Sequence, residues 1–275
     1  MTWRDIPVHV KANEDWSEHI DVAMRLAKNF DARLTGLRTS QNAATIKQYL
    51  ATNSEAALEA AARETALASE TERRFRDALN ANRLDGDWDA AEGNASEILM
   101  LAGRVHDVIV VKQTQEGVDE PGWDVPEACA VSSGTPTLVV PSEGSFPSSG
   151  ERLLIAWNGS QQAAAAVHGA MPLIHRAKHV TVMIGRGKES LSTITRYPKL
   201  DIVGHLSRHA AEVSTWAFEV HDWEAGARIL DIADETNSDL VVMGAYGHSA
   251  WRELFLGGAT RHVLKHMTLP VFMAH

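Results

Sequence analysis

Short apolar runs of strand length alternate with longer segments whose apolar residues recur every three or four positions, and the whole order occurs twice. In the first half, strands are predicted at Ile6–Val10, Ala32–Leu37, Trp88–Ala91, Asp107–Val111 and Thr135–Val140. Helices fall between them at Trp16–Asn29, Ser54–Asn82, Ser96–Val105 and Val125–Ser132, with Ser54 as the cap of the long one. In the second half, strands are predicted at Arg152–Trp157, Lys178–Ile184, Val213–Val220, Asp239–Met243 and Leu269–Met273. The helices there are Gln161–His175, Leu200–Ala211, Glu224–Glu235 and Gly257–His266.

Ser142–Gly150 reads as a linker: small, polar, interrupted by Pro147 and without apolar period. The expected division is a domain over 1–141, a linker over 142–151 and a second domain over 152–275. Two details support duplication. Ile98-Leu99 precedes Asp107-Val-Ile-Val-Val much as Ile229-Leu230 precedes Asp239-Leu-Val-Val-Met, and each half ends on a Thr-Pro or Thr-Leu-Pro lead into an apolar strand. Strands alternating with helices imply right-handed crossovers and, in each half, a mainly parallel five-stranded sheet covered by helices. Such doubly wound sheets bind ligands beyond the carboxyl ends of their strands, where strand order reverses.

Composition narrows the function. The chain has 275 residues, 44% of them hydrophobic and 23% charged, enough to bury a core in each of two domains. The net charge of −10 disfavours nucleic acid and anionic membranes. No apolar stretch reaches bilayer length, and Met1–Pro7 lacks a secretory pattern, so a cytoplasmic location is expected. Cys129, the only cysteine, leaves neither an internal disulfide nor a thiolate zinc cluster. Through Pro141 there are 14 basic and 23 acidic residues, against 12 and 13 from Ser142 onward, so the halves carry −9 and −1. An anionic ligand meets less repulsion in the second.

The loop after Met243 carries the clearest chemistry: Gly244-Ala-Tyr-Gly247-His248-Ser-Ala-Trp-Arg-Glu-Leu-Phe-Leu-Gly257-Gly258-Ala259-Thr260. Gly244 is expected to leave a buried strand where a side chain would obstruct a ligand, and Gly247 to allow close backbone approach. Gly257 and Gly258 stand where the final helix begins, so its first N–H groups and positive end suit a phosphate. Thr260 offers a hydroxyl, and His248 a phosphate or ribose contact.

This stretch resembles the nucleotide-binding signature of the universal stress protein family, in which two residues separate the first glycines and nine separate the second from the third. Gly244, Gly247 and Gly257 keep that spacing. Ala156-Trp-Asn158-Gly159-Ser160 is similar to the family's first strand and turn, and Arg261–Val271 to its usual ending. The resemblance implies two tandem Rossmann-like domains of the adenine nucleotide alpha hydrolase-like type. It further implies ATP, ADP or AMP held by Ala156, Asn158, Gly159, Met183, Gly185, Gly244, Gly247, His248, Gly257, Gly258, Ala259 and Thr260. A homodimer through edge strands is implied as well.

Two departures matter. Gly258 stands where the family has Ser or Thr, and Asn158 where it has Asp, so Mg²⁺ is expected to be held weakly. In the first half the corresponding loop lacks the glycine spacing and carries Glu116, Asp119, Glu120 and Asp124, which reads as a degenerate copy that binds no nucleotide.

Other motifs fall short. Gly185-Arg186-Gly187-Lys188 lacks phosphate-loop spacing, though Arg186 or Lys188 could reach a phosphate. His205/His209 and His262/His266 each put two imidazoles on a helix face, where zinc would need a third ligand. Gly247-His-Ser249-Ala-Trp251 misses the last glycine of a nucleophile elbow. The expected function is an adenine-nucleotide-binding stress-response protein, a sensor or regulator without a catalytic residue. A dimerising scaffold that binds no nucleotide, or a slow ATPase, is the alternative.

Overall fold

The computed structural model describes residues 2–11, 16–40, 55–115, 125–184, 201–210, 212–217, 225–245 and 258–275. The chain divides into two compact units, Thr2–Glu143 and Gly144–His275, apart from Met1.

The first unit contains β1 (Asp5–Lys11), α1 (Glu18–Phe30), β2 (Arg33–Ser40), α2 (Glu55–Asn82), β3 (Gly86–Glu92), α3 (Ala95–Gly103), β4 (Ile109–Lys112), α4 (Val125–Ser132) and β5 (Thr137–Val140). Its strands run β3-β2-β1-β4-β5, all parallel. α1 buries Ile20, Val22, Met24, Leu26 and Phe30. It ends where Asp31 takes a left-handed backbone, which lets its N–H reach Ala27 O. At the β3 side, Phe75 of α2 is fully buried against Trp88, with ring centroids 5.4 Å apart. Gly36 leaves room for them, since a Cβ there would lie 2.6 Å from the Trp88 ring.

The second unit contains β6 (Arg152–Trp157), α5 (Gln161–Gly169), α6 (Met171–Ile174), β7 (His179–Ile184), α7 (Ile202–Leu206), β8 (Val213–Ala217), α8 (Ala225–Glu235), β9 (Leu240–Gly244), α9 (Gly258–His266) and β10 (Val271–Ala274). The strand order is β8-β7-β6-β9-β10, again all parallel. The doubly wound α/β architecture expected from the alternation is therefore present in both units. In each, the order reverses beside the first strand, between β1 and β4 or between β6 and β9.

Several elements differ from their expected extents: the helix expected over Leu200–Ala211 spans Ile202–Leu206, strand ends shift by a few residues, and two helices differ for a local reason. The single helix expected over Gln161–His175 breaks at Ala170, where the backbone is at φ −85° and ψ 0°. Pro172 causes this: it has no N–H to donate back to His168, and its ring crowds that carbonyl. α3 starts at Ala95, because Asn94 Oδ1 accepts the Glu97 N–H at 3.1 Å and caps it. The expected cap at Ser54 lies outside the described residues.

The same device anchors the start of both sheets. Asp107 accepts the N–H groups of Arg4 and Asp5, and Asp239 accepts those of Gly150, Glu151 and Arg152. Each aspartate ties the entry of its fourth strand to that of the first. Cys129 is buried and packs in the core.

Candidate functional site

At the reversal point of the second unit, the chain leaves β6 through Asn158, Gly159 and Ser160. Asn158 Oδ1 accepts the Ser160 N–H at 3.0 Å, and Ser160 Oγ accepts the Ala163 N–H at 3.1 Å. The turn thus feeds directly into a capped α5. Gly159 sits at φ +81°, a conformation that an L side chain adopts only under strain, although a Cβ there would meet no atom within 4 Å. Asn158 is exposed; its Oδ1 already accepts one N–H, and its NH₂ group is a donor.

β9 ends beside this turn at Gly244, and here the structure gives a different reason for the glycine from the one expected. A Cβ on Gly244 would lie 2.6 Å from Ala163 N and 2.7 Å from Gln162 C. The first turn of α5 fills that space, so the glycine serves helix-on-strand packing. Beyond it, Ala245 is buried, its N–H donates to Ala274 O at 2.8 Å, and His275 Nδ1 donates to Ala245 O at 2.8 Å.

The opposite face of the sheet carries an apolar row. Ala156 lies in register with Met183 and Met243, Met183 with Trp216, and Met243 with Met273. Successive residues point to opposite faces, so this row looks away from α5, whose backbone lies over Gly244. Met183 and Met243 are each 4% exposed, while Ala156 between them is half-buried. The alanine is a notch in a methionine floor at the carboxyl end of the strands. Trp216 was not among the sequence candidates. Its signal was only the register of β8 against β7.

α9 leads from the carboxyl end of β9 to the amino end of β10, so its N-terminus stands at the same edge of the sheet. Gly258 opens it, exposed, and a Cβ there would meet nothing within 4 Å. No acidic residue occupies its first turn, while Lys265 and His266 occupy its last. No acidic side chain of the helix itself therefore offsets its positive end, while the negative end is complemented from within. α8 fixes this turn in place: a Cβ on Gly226 would lie 2.7 Å from His262 Cβ and 2.9 Å from Ala259 O. That contact, which the sequence reading missed, explains the glycine in the first turn of α8. Ala259 is half-buried and Thr260 is 3% exposed, so the threonine side chain belongs to the helix packing.

One turn on, burial and then neighbouring His266 hold the His262 imidazole below its ordinary range, while Asp231 pulls the other way. Among the sequence candidates, Ala156, Asn158, Gly159, Met183, Gly244, Gly258, Ala259 and Thr260 all belong to this end of the unit. Gly185, Gly247, His248 and Gly257 lie outside the described residues, as do Arg186, Lys188 and Ser249. Among the described residues no group of three or more His, Cys, Asp or Glu side chains is arranged to hold a metal ion. No helix among them is long and apolar enough to cross a membrane.

Residues 150–275 match the model of the universal stress protein family. A universal stress protein from Archaeoglobus fulgidus DSM 4304 is similar in fold, with a TM-score of 0.70 at 14% identity over 98% of this chain and 95% of that one. A functionally unknown protein from Pseudomonas aeruginosa PAO1 is similar at a TM-score of 0.57 and 14% identity, over 99% of this chain and 92% of its own. No curated protein sequence matches the chain.

Proposed function

Through residues 150–275 the chain belongs to the universal stress protein family, and from that premise we propose that this domain binds an adenine nucleotide as a sensor or regulator. The observation that carries the proposal is the start of α9: exposed Gly258, no acid in the first turn, and a backbone braced by Gly226 of α8. The first N–H groups of the helix and its dipole suit a phosphate there. The Ala156 notch, floored by Met183 and Met243 and flanked by Trp216, accepts the flat base.

Asn158 favours nucleotide holding over turnover. It brings no charge for a divalent ion, and its Oδ1 already accepts the Ser160 N–H. Affinity should therefore change little with Mg²⁺, and AMP or ADP suits the site as well as ATP. The first unit is read as a copy that binds no nucleotide, the location as cytoplasmic, and the assembly as a homodimer through edge strands.

Mass spectrometry of nucleotide retained through native purification, with titration of labelled ATP and AMP, tests this reading. Retained adenine nucleotide, and affinity for both insensitive to Mg²⁺, is the expected result. No binding near millimolar ligand favours a dimerising scaffold instead, a reading supported by the committed Asn158 carboxamide oxygen.

A further inference from the structure

At the far end of the second unit, away from Asn158 and Gly258, the first residue of β7 makes contacts that nucleotide binding does not use. His179 Nδ1 lies 3.2 Å from Glu212 Oε2, and its Nε2 lies 2.9 Å from Ser214 Oγ. Thr181 Oγ1 stands 3.3 Å from the same Ser214 oxygen. β7 and β8 run parallel with Thr181 opposite Ser214, so side-chain alternation puts all four groups on one face.

The carboxylate biases the protons. The Glu212 charge, 3.2 Å from Nδ1, favours the tautomer with its hydrogen there, leaving Nε2 as acceptor for the Ser214 hydroxyl. Thr181 in turn donates to Ser214 Oγ. A serine that donates to an imidazole with a carboxylate charge behind it is an activated nucleophile. The imidazole is 18% exposed, the Glu212 carboxylate 71%, and Ser214 is half-buried, so solvent and a small substrate reach the site.

The sheet edge supplies a main-chain donor. Among the described residues β8 is the outer strand of its sheet, and the Val180 N–H donates to Glu212 O at 2.8 Å. Glu212 and Ser214 therefore turn their backbone groups inward, and Thr215, one residue out of phase, turns its N–H to the outer edge. That amide, directly after the serine, is a main-chain donor open to the oxygen of an acyl group brought to Ser214 from the edge.

We propose that Ser214, His179 and Glu212 form a hydrolytic triad for small carboxylic esters. Ser214 Oγ bonds to the acyl carbon as its proton passes to His179 Nε2. The bond to the alcohol oxygen breaks, and that oxygen takes the proton from Nε2. Water then gives a proton to Nε2 and bonds to the acyl carbon. Ser214 Oγ leaves, recovers the proton, and the carboxylic acid departs. Glu212 is a positioning residue that steadies the imidazolium.

The test uses the full-length chain, a fluorophosphonate probe with peptide mapping, and p-nitrophenyl acetate hydrolysis. One phosphonyl group on Ser214 is expected, with ester turnover falling about 100-fold in Ser214→Ala and in His179→Gln. Glu212→Gln should lower turnover less and displace its pH profile, with Glu212→Asp restoring part of both. Circular dichroism confirms that each variant folds; should Ser214→Ala fail to fold, mapping on the parent chain decides. An unlabelled Ser214, labelling unchanged in His179→Gln, or equal turnover in Ser214→Ala and parent overturns the proposal.

Discussion

Where β9 of the second unit runs out into Gly244 and Ala245, β4 of the first runs out into Lys112 and Gln113. The frame around the two pairs is the same. Gln113 N–H donates to Val140 O at 2.7 Å, and Ala245 N–H donates to Ala274 O at 2.8 Å. What differs is the side chains placed on that frame. Gln113 Oε1 accepts the Ser142 N–H at 3.1 Å and is 9% exposed, so the first unit ties down its exit with a buried amide. The second has no side chain at Gly244 and lets α5 come down on the strand.

The helix that follows each exit differs in the same sense. α4 carries Glu127 in its first turn, whereas α9 carries no acid there. A helix that supplies its own carboxylate has satisfied its positive end, and one without it leaves that end for a ligand. The carboxyl end of β1 is filled as well: buried His19 donates from Nε2 to His9 O at 2.7 Å, and Ser17 Oγ lies 2.7 Å from its Nδ1. Among the described residues, one backbone plan therefore carries more of its own polar closure in the first unit than in the second, and short-range polar side chains make the difference.

Breaking the second unit's packing should give the largest effect. Gly244→Val forces a branched side chain into backbone 2.6 Å away, and overpacking of this kind costs about 3 kcal/mol. Lys112→Val, at the matching place in the first unit, should cost far less, and urea unfolding midpoints of the two variants measure the contrast.

Making the second unit's end resemble that of the first should come next. Gly258→Glu puts a carboxylate where α4 has its own, and nothing lies within 4 Å to obstruct it. Adenine nucleotide affinity should fall about tenfold, roughly 1.4 kcal/mol, while the unfolding midpoint holds or rises. Isothermal titration and thermal unfolding read the two quantities separately.

A smaller effect separates the two helix starts. Ser160→Ala removes a cap bonded to Ala163 N and should cost about 1 kcal/mol. Ser17 bonds His19 and makes no side-chain cap, so Ser17→Ala should act through the histidine pair.

Acidification should give the mildest contrast. Desolvation and then the His209, Arg208 and His168 charges hold His205 below its ordinary range, and desolvation and then His266 do so for His262. Both folded-state values lie below the unfolded ones, so their stabilisation is full above the unfolded pKa and is lost as pH falls through the folded values. The second unit should lose stability between neutrality and mild acid, and His205→Gln should reduce that loss. Thermal unfolding across pH checks it.

Much of this was legible in the sequence. Apolar runs at Arg152–Trp157 and Asp239–Met243 sit where the strands are, because a strand buried on both faces must be apolar throughout. The paired Asp107 and Asp239 marked the duplication, and they turn out to tie the sheets together. The cap that Ser160 gives α5 depends on a few residues of local chain, so it too lies within reach of sequence. Spacing also pointed to the start of α9. It could not separate a glycine cleared for a ligand from one cleared for a helix, and Gly244 is of the second kind. Gly226 gave no signal, because its reason is a helix distant in sequence.

The sequence by itself determined the alternating elements, the twofold plan and the unequal charge of the halves, because periodicity, capping and charge are properties of local chain. Tertiary structure alone decided which side chains meet. His179 joined Glu212 and Ser214 only when β7 paired with β8 in a particular register, and Ala156 became a notch only between Met183 and Met243. A one-residue slip in either register would have turned those side chains to opposite faces, so the contacts belong to the pairing of strands and to no segment read alone.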